Sequence, residues 1–250
     1  MRRIRILVAY DGTEFHGWQV QPGLATIQGE LERALAEIEG APVEVAGSGR
    51  TDAGVHALAQ VAAFSLDNPI PVDNLRKAIN RLLPKSIRVT ETAEAAPEFH
   101  PRFQAKAKTY EYHLWRSEIC PPMARLYVCH HPYPLDEERM AALAPVYEGE
   151  HDFTAFAASD EKDALGGSKV RTVYESTVRR EGDELIYRVR GSGFLKHMVR
   201  MLTGTLVEVG KGNLGREELL ARLEPGYPEK CGPALPARGL RLVSVEYHTL

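Results

Sequence analysis

The strongest constraint on the fold of this 250-residue chain is that its two halves show the same order of predicted strands and helices. Runs rich in β-branched residues predict strands, whereas apolar residues spaced three and four apart predict helices. The elements predicted in the first half are 4–9 (strand), 26–39 (helix), 43–46 (strand), 58–66 (strand), 71–83 (helix) and 87–92 (strand). Those predicted in the second half are 104–116 (strand), 135–147 (helix), 170–179 and 184–190 (a hairpin), 194–209 (helix) and 240–247 (strand), with a short extra helix at 216–223.

Each half therefore has the order β-α-β-β-α-β, which is typical of a ferredoxin-like unit. We predict an α+β protein made of two ferredoxin-like (RRM-like) halves, 1–98 and 99–250. We expect their sheets to form one extended mixed or antiparallel surface, with the helices on the other face.

Composition places the chain among soluble globular proteins, with 44% hydrophobic and 26% charged residues. The first apolar run, 6–9, is too short for a signal peptide core or a membrane span, so we expect a cytoplasmic protein that does not engage a membrane. The three cysteines form no paired motif, which argues against a disulfide framework. Cys129-His130-His131 lacks a second pair at ligand spacing, so we predict no metal site.

The net charge of −3 is not that of a typical nucleic-acid-binding protein, but the charges are unevenly distributed. Segment 99–125 has five basic and two acidic residues, and segment 187–200 has four basic residues and no acidic one. Such local basic stretches can attract a polyanion although the total is near neutral, whereas an ordinary solvated face is the alternative for each stretch alone.

A glycine-rich loop around Asp52 is the first candidate functional site: Gly47-Ser-Gly-Arg50-Thr-Asp52-Ala-Gly54-Val-His56. Glycines allow positive φ angles and a close approach of the backbone to a ligand. The pattern favours a carboxylate that is held out toward a substrate. A simple turn or helix cap is the alternative for this aspartate.

Lys196 and Arg200 are the second candidate site. In a helix over 194–209 they would lie four residues apart near its beginning, where like charges cost about 0.2–0.5 kcal/mol and oppose the helix dipole. An anion nearby, either a phosphate or Asp52, would offset that cost. Two side chains extended into water are the alternative.

The third candidate is the strand that contains Lys106, Lys108, Tyr110 and Tyr112, which alternation places on one face. Cations that meet phosphates and rings that stack on bases suit RNA, whereas a half-buried tyrosine pair is the structural alternative. The aromatic and amide-rich segment 15–21 also suggests a loop whose role is not purely packing.

Taken together, these segments resemble the tRNA pseudouridine synthases of the TruA type. The resemblance spans nearly the whole chain and rests on motifs that occur in the family's order: Asp11-Gly12, Phe15-His-Gly-Trp-Gln19, Gly49-Arg-Thr-Asp52-Ala-Gly-Val-His56, Phe99-His-Pro-Arg-Phe103, Lys108-Thr-Tyr110-Glu-Tyr112, Gly149-Glu-His-Asp-Phe-Thr-Ala-Phe156 and Phe194-Leu-Lys-His-Met-Val-Arg200 with Gly204. The segment 159–168 looks divergent.

The resemblance implies an isomerase that converts uridine to pseudouridine at positions 38, 39 or 40 of the tRNA anticodon stem-loop, without metal or organic cofactor. It implies that Asp52 is the catalytic carboxylate, that Tyr110 stacks on a flipped base and that Arg200 is the ion partner of Asp52. Further residues would bind the RNA substrate: Arg50, His56, Lys106, Lys108 and Lys196. The resemblance also implies a homodimer with the tRNA lying across both subunits.

Three chemical routes remain open for Asp52, which are addition to C6 of uracil, attack on C1′ of ribose and a glycal route in which Tyr110 acts as an acid or base. Two other functions also remain open: a non-catalytic RNA-binding module, and a hydrolase with an aspartate nucleophile. The hydrolase would need a second acid or a metal near the glycine-rich loop, where the sequence offers neither.

Overall fold

The computed structural model of the chain describes residues 1–159, 167–228 and 231–248. The chain divides into two compact units, one made of 1–106 together with 241–250 and the other of 107–240. The last strand of the sequence thus belongs mainly to the first unit. The division into two halves, 1–98 and 99–250, was predicted from the repeated order of strands and helices, and it stays a prediction.

The first unit is a mixed sheet with two helices. Its strands are β1 (Arg2–Tyr10), β2 (Ala46–Gly47), β3 (His56–Leu66), β4 (Ile87–Glu94) and β10 (Leu240–Glu246), and its helices are α1 (Ile27–Glu39) and α2 (Val72–Leu82). β1 pairs antiparallel with both β3 and β4, β10 runs parallel to β3, and β2 pairs antiparallel with β3. The order β-α-β-β-α-β predicted for residues 4–92 is present.

Helix α1 begins and ends at residues that the sequence marks for those positions. The side chain of Thr26 accepts a hydrogen bond from the Gly29 amide, and Gly40 ends the helix with a φ of 78°. Side chains of α1 also explain why the predicted strand 43–46 is shorter than expected. Glu32 accepts from the Val45 amide and Gln28 donates to the Val45 carbonyl, so this backbone is bonded to a helix rather than to a strand.

The second unit is a mainly antiparallel sheet with helices. Its strands are β5 (Ala107–Trp115), β6 (Cys129–His130), β7 (Gly149–Asp152), β8 (Val170–Glu181) and β9 (Glu184–Gly191), and its helices are α3 (Glu137–Leu143), α4 (Met198–Gly210) and α5 (Arg216–Ala221). The strand order is β5-β9-β8-β7, with the short β6 parallel to β5. The α+β class predicted from the sequence, with mixed and mainly antiparallel strands, is confirmed.

The predicted helix 135–147 is shorter than expected, because α3 ends at Leu143 and a 3-10 turn follows over Ala144–Tyr147. Pro145 has no amide hydrogen to donate to a carbonyl one turn earlier, and a tighter turn accommodates it.

The predicted helix 194–209 was wrong at its beginning, because α4 starts only at Met198. His197 has a φ of 61°, in the left-handed region, which ends any right-handed helix at that point. Lys196 therefore precedes the helix, and Lys196 and Arg200 are not neighbours on one helical face. The charge repulsion inferred from that arrangement does not apply.

One face of β5 contains a charged network centred on Glu111. The carboxylate, 9% exposed, accepts hydrogen bonds of 3.0 Å from both Arg179 and Arg188. Burial alone would raise the pKa of Glu111, but the two arginines outweigh burial and hold it below its ordinary value.

We expect Glu111→Gln to lower the free energy of unfolding by about 1–3 kcal/mol at neutral pH. Because the pKa of Glu111 is depressed in the folded state, its stabilising contribution is present above its unfolded value of about 4.3 and is lost as the pH falls through the folded value. The deficit of the variant should therefore shrink below about pH 4 in urea-unfolding curves. Glu150→Gln, at an exposed position, is the control. An equal deficit at neutral and acidic pH would contradict this role.

Candidate active site

The loop between β2 and β3 presents Asp52 at the surface of the first unit. Asp52 is partly exposed, whereas its neighbours Thr51 and Val55 are buried. Asp52 is thus a partly exposed side chain on an otherwise anchored loop. That the glycine-rich segment holds this side chain out toward a substrate stays a prediction.

The segment 12–18 holds the backbone of this loop from behind. The Trp18 amide donates to the Thr51 carbonyl at 3.0 Å, and the Gly54 amide donates to the Phe15 carbonyl at 3.3 Å. Gly17 has a φ of +88°, and a Cβ atom there would lie 2.6 Å from the Thr51 carbonyl oxygen. Only glycine fits this approach, so the position of Asp52 depends on Gly17.

Phe15 and Trp18 of segment 15–21 are buried, whereas His16, Gln19 and Gln21 are exposed. The prediction of a role beyond packing therefore concerns the polar residues of this segment. Trp18 is only 2% exposed, and Phe15 is also buried. A Cβ atom on Gly47 would lie 2.6 Å from the indole ring of Trp18, so the ring occupies the space that a side chain at position 47 would need. These aromatics support the Asp52 loop by packing beneath it.

Buried polar side chains below the loop fix it further, and the sequence analysis missed them. Tyr10 and Thr51 share a 2.8 Å hydrogen bond between their hydroxyl oxygens, and burial raises the pKa of Tyr10 to about 12. Ser48 donates to the side chain of Gln60 at 2.5 Å, and Gln60 donates to the Gly49 carbonyl at 2.9 Å. A buried glutamine in the middle of an apolar strand is the sequence signal that could have indicated this network.

His56 and Arg50, both predicted to bind RNA, differ in their surroundings. His56 is buried, and its Nδ1 accepts a hydrogen bond from the Gly12 amide at 3.1 Å and lies 3.2 Å from a carboxylate oxygen of Asp11. The imidazole thus joins the loop to the end of β1. Arg50 is exposed, and its Nε donates to the side chain of Gln19 at 3.0 Å.

In the second unit, β5 gives its two tyrosines different surroundings. Tyr112 is fully buried, its hydroxyl donates to the Pro236 carbonyl at 2.7 Å, and its ring packs on Gly239. Tyr112 therefore has a packing role, as in the structural alternative given for the tyrosine pair, and it is not exposed for stacking on a base. Tyr110 is 8% exposed, and its ring meets the ring of Phe194 edge to face at 5.2 Å. Phe194 thus fixes the plane of Tyr110.

The predicted lysines lie at the surface of their own units. Lys106 is exposed and precedes β5, and Lys108 is partly exposed within the strand. Lys196 is exposed, with its Nζ 3.5 Å from the Ser159 carbonyl. Of the predicted segment 159–168, residues 160–166 lie outside the described residues.

Arg200 and Arg171 are partly buried cations of the second unit. The Nε atom of Arg200 donates to the Leu235 carbonyl at 2.6 Å, which fixes the guanidinium. Arg171, which the sequence analysis did not select, donates to the Ser168 and Val170 carbonyls, and burial lowers its pKa. Among the residues that the structure describes, no carboxylate pairs with Arg171.

Neither a metal site nor a membrane span emerges from the described residues. Within 1–159, 167–228 and 231–248, no three histidine, cysteine or acidic side chains form a group that could hold a metal ion. No helix in those ranges is long and apolar enough to cross a membrane.

Comparison with known proteins identifies the family. The family model described as tRNA pseudouridine synthase matches residues 6–104 and 143–248, which is most of the chain. The chain belongs to the tRNA pseudouridine synthase family. The family resemblance inferred from the sequence motifs is confirmed, and so is the enzyme class, since pseudouridine synthases are isomerases.

Relatives of this synthase match over almost their whole length. One from Solibacter usitatus is 64% identical over 247 residues, which cover 99% of this chain and 100% of that protein. One from Brevibacillus brevis is 43% identical over 247 residues, with coverage of 99% and 100%. One from Anoxybacillus flavithermus is 45% identical over 249 residues, with coverage of 99% of each. All three are named tRNA pseudouridine synthase A.

The segments that the family model matches include some of the candidate residues of this synthase and leave out others. Asp52 and Arg200 lie inside the matched segments, as do Arg50, His56 and Lys196. Tyr110 lies between them, in 105–142, together with Lys106 and Lys108.

Proposed function

We propose that this protein isomerises uridine to pseudouridine at one or more of positions 38, 39 and 40 of the tRNA anticodon stem-loop, with Asp52 as the catalytic carboxylate. The observation that carries the proposal is the anchored Asp52 loop in a chain of this family. Asp52 is partly exposed, and the backbone on both sides of it is bonded to segment 12–18. A fixed and accessible carboxylate is what a covalent or general-base role requires.

The reaction breaks the bond between N1 of uracil and C1′ of ribose and forms a bond between C5 and C1′. The hydrogen of C5 leaves to water, and N1 takes up a proton, so no oxidant, metal or cofactor enters the balance. Asp52 serves by adding to C6, by attacking C1′ or by assisting a glycal route. Each route needs the carboxylate within reach of the flipped nucleotide.

The remaining candidate residues bind and orient the RNA in this proposal. Tyr110 stacks on the target base, a contact worth about 1–3 kcal/mol that offsets much of the cost of flipping. Its edge-to-face contact with Phe194 supports this role, because that contact fixes the plane of the ring. Arg200 is the ion partner of Asp52. Cationic and imidazole side chains contact the RNA backbone and the extruded nucleotide: Arg50, His56, Lys106, Lys108 and Lys196.

Tritium release from tRNA that contains 5-³H-uridine tests the reaction directly. Transcripts that keep a single uridine at position 38, 39 or 40 of the anticodon arm test the position. We expect release from at least one of the three and none from a transcript that lacks all of them. Binding of tRNA without any release would support a non-catalytic RNA-binding module and overturn the proposal.

We expect Arg200→Ala to lower kcat by roughly 10²-fold or more while tRNA affinity changes little, because a group that acts in the transition state affects turnover more than binding. Arg200→Lys retains a charge but lacks the planar donor pattern, and should recover only part of the activity. Single-turnover rates at saturating tRNA measure the effect. Full turnover at saturation, with weaker affinity only, would remove Arg200 from this role.

The proposed enzyme is cytoplasmic and acts as a homodimer with one tRNA lying across both subunits. Sedimentation velocity of the protein alone and with tRNA checks this arrangement. A monomer that binds and modifies tRNA at every concentration would contradict the dimer.

A further inference from the structure

A cavity of about 300 Å³ in the second unit is not used by the proposed chemistry. It is lined by Cys120, Arg125, Leu126, Val128, His130 and Arg238, and we call it the Cys120 pocket. Its walls come from the loop between β5 and β6, from β6 and from the 3-10 turn Ala237–Gly239. Five of the six lining residues lie in 105–142, between the two segments that the family model matches.

The charge of the Cys120 pocket is positive and uncompensated. Arg125 donates to the Pro122 carbonyl at 2.6 Å, a neutral acceptor. Among the described residues, neither Arg125 nor Arg238 forms an ion pair, and no acidic side chain lines the cavity. Two guanidinium groups at one cavity therefore favour an anion there.

The groups beside Arg238 cannot supply that negative charge. The buried Tyr112 hydroxyl and Cys129 thiol both feel the charge of Arg238, but burial outweighs it and raises the pKa of each above its ordinary value. Both groups are therefore neutral at physiological pH. Neither group compensates the two exposed guanidinium groups of the pocket.

The rest of the lining is mostly apolar; its polar member is His130, whose Nε2 lies 3.0 Å from the Ser117 carbonyl oxygen. Such a lining suits a ligand with more than a charge. Leu126, Val128 and the thiol of Cys120 offer surface to a sugar or a base, and a volume near 300 Å³ is at the small end of ligand sites. The same loop leaves large apolar side chains in solvent, with Met123 84% exposed and Ile119 also exposed. A nucleotide has both properties, because its anionic phosphate is attached to a partly apolar sugar and base.

We propose that the Cys120 pocket binds one nucleotide of the tRNA through its phosphate, outside the reacting uridine. This inference rests on the proposed function, which supplies the RNA. A free mononucleotide has the same chemistry, and the test separates the two sources. Phosphate contacts of this kind add affinity and position the RNA without reading its sequence.

Alkylation of Cys120 by iodoacetamide reports on the pocket without reference to catalysis. Cys120 is partly exposed, whereas Cys129 and Cys231 are buried, so the native protein should react first at position 120. We expect tRNA at about ten times its Kd to slow alkylation of Cys120 about tenfold, measured by mass spectrometry of the peptides. Millimolar AMP or inorganic phosphate should leave the rate unchanged.

The double variant Arg125→Ala/Arg238→Ala tests the two cations. We expect weaker tRNA binding, and a slope of log Kd against log salt concentration that is smaller by about one to two. The tRNA concentration that protects Cys120 in the parent should no longer protect it in the variant. Turnover at saturating tRNA should be retained. Arg33→Ala/Arg81→Ala, which removes the same charge from helices α1 and α2, should leave all of these at parental values.

Several outcomes would overturn the pocket proposal. If the parent releases tritium but tRNA does not protect Cys120, the pocket proposal falls and the proposed function stands. If AMP protects Cys120 and tRNA does not, the ligand is a free nucleotide. If the double variant binds and protects like the parent, the arginines do not hold a phosphate. If the parent binds tRNA without any tritium release, the proposed function fails. The effect of tRNA on the alkylation of Cys120 then tests the pocket proposal by itself.

Discussion

Replacing Asp52 with asparagine is expected to abolish tritium release from 5-³H-uridine tRNA, with a loss of roughly 10⁴-fold or more in single-turnover rate. The amide has nearly the same shape as the carboxylate, but it is neither a nucleophile nor a base at neutral pH. Loop contacts that the structure shows are made largely by backbone atoms, such as the bond from the Val55 amide to the Asp52 carbonyl at 3.1 Å. The variant should therefore fold, and it should bind tRNA with nearly parental affinity.

Asp67→Asn is the matched control for this loss, because Asp67 is an exposed carboxylate of the same unit, and its ion pair is with the chain's amino terminus. It should release tritium at the parental rate. Thermal unfolding and tRNA binding by filter retention separate a chemical defect from misfolding. If the Asp52→Asn variant still released tritium at a rate near that of the parent, another group would have to perform the chemistry.

Replacing Gly17 with alanine is expected to lower kcat/KM by about 10²-fold, because a displacement of about 1 Å at a reacting group can cost that much. The new methyl group would lie 2.6 Å from the Thr51 carbonyl oxygen and 3.1 Å from the carbonyl carbon of Asp52. Both atoms belong to backbone, which cannot rotate away as a side chain can. The loop must move, and the Asp52 carboxylate moves with it.

Gly23→Ala separates this clash from the strain of a left-handed backbone. Gly23 has a φ of +74°, close to the +88° of Gly17, but a Cβ atom there meets nothing within 4 Å. Its cost should be limited to about 1 kcal/mol of stability, with unchanged kcat/KM. Equal loss of activity in the two variants would mean that the contact behind Asp52 does not position it.

The residues expected to carry the chemistry could be predicted from the sequence, whereas the residues that support them could not. The Asp52 loop stands out in the sequence because glycines, arginine and histidine surround one acid within ten residues, 47–56. Its support does not stand out, since Trp18 and Gly47 are far apart in the chain and meet only in the folded unit. Gln60 likewise reads as one polar residue in an apolar strand until its bonds to Ser48 and Gly49 are seen.

The sequence by itself determined the strand and helix order, the α+β class, the family and the Asp52 loop, because each depends on local spacing or on a contiguous motif. Only the tertiary structure decided that α4 begins at Met198 and that Tyr112 is buried. The apolar spacing around Leu195 continues through the left-handed turn at His197, so periodicity does not detect the break. Burial of Tyr112 depends on Pro236 and Gly239, more than a hundred residues away, and alternation along one strand cannot say which face such a distant segment covers.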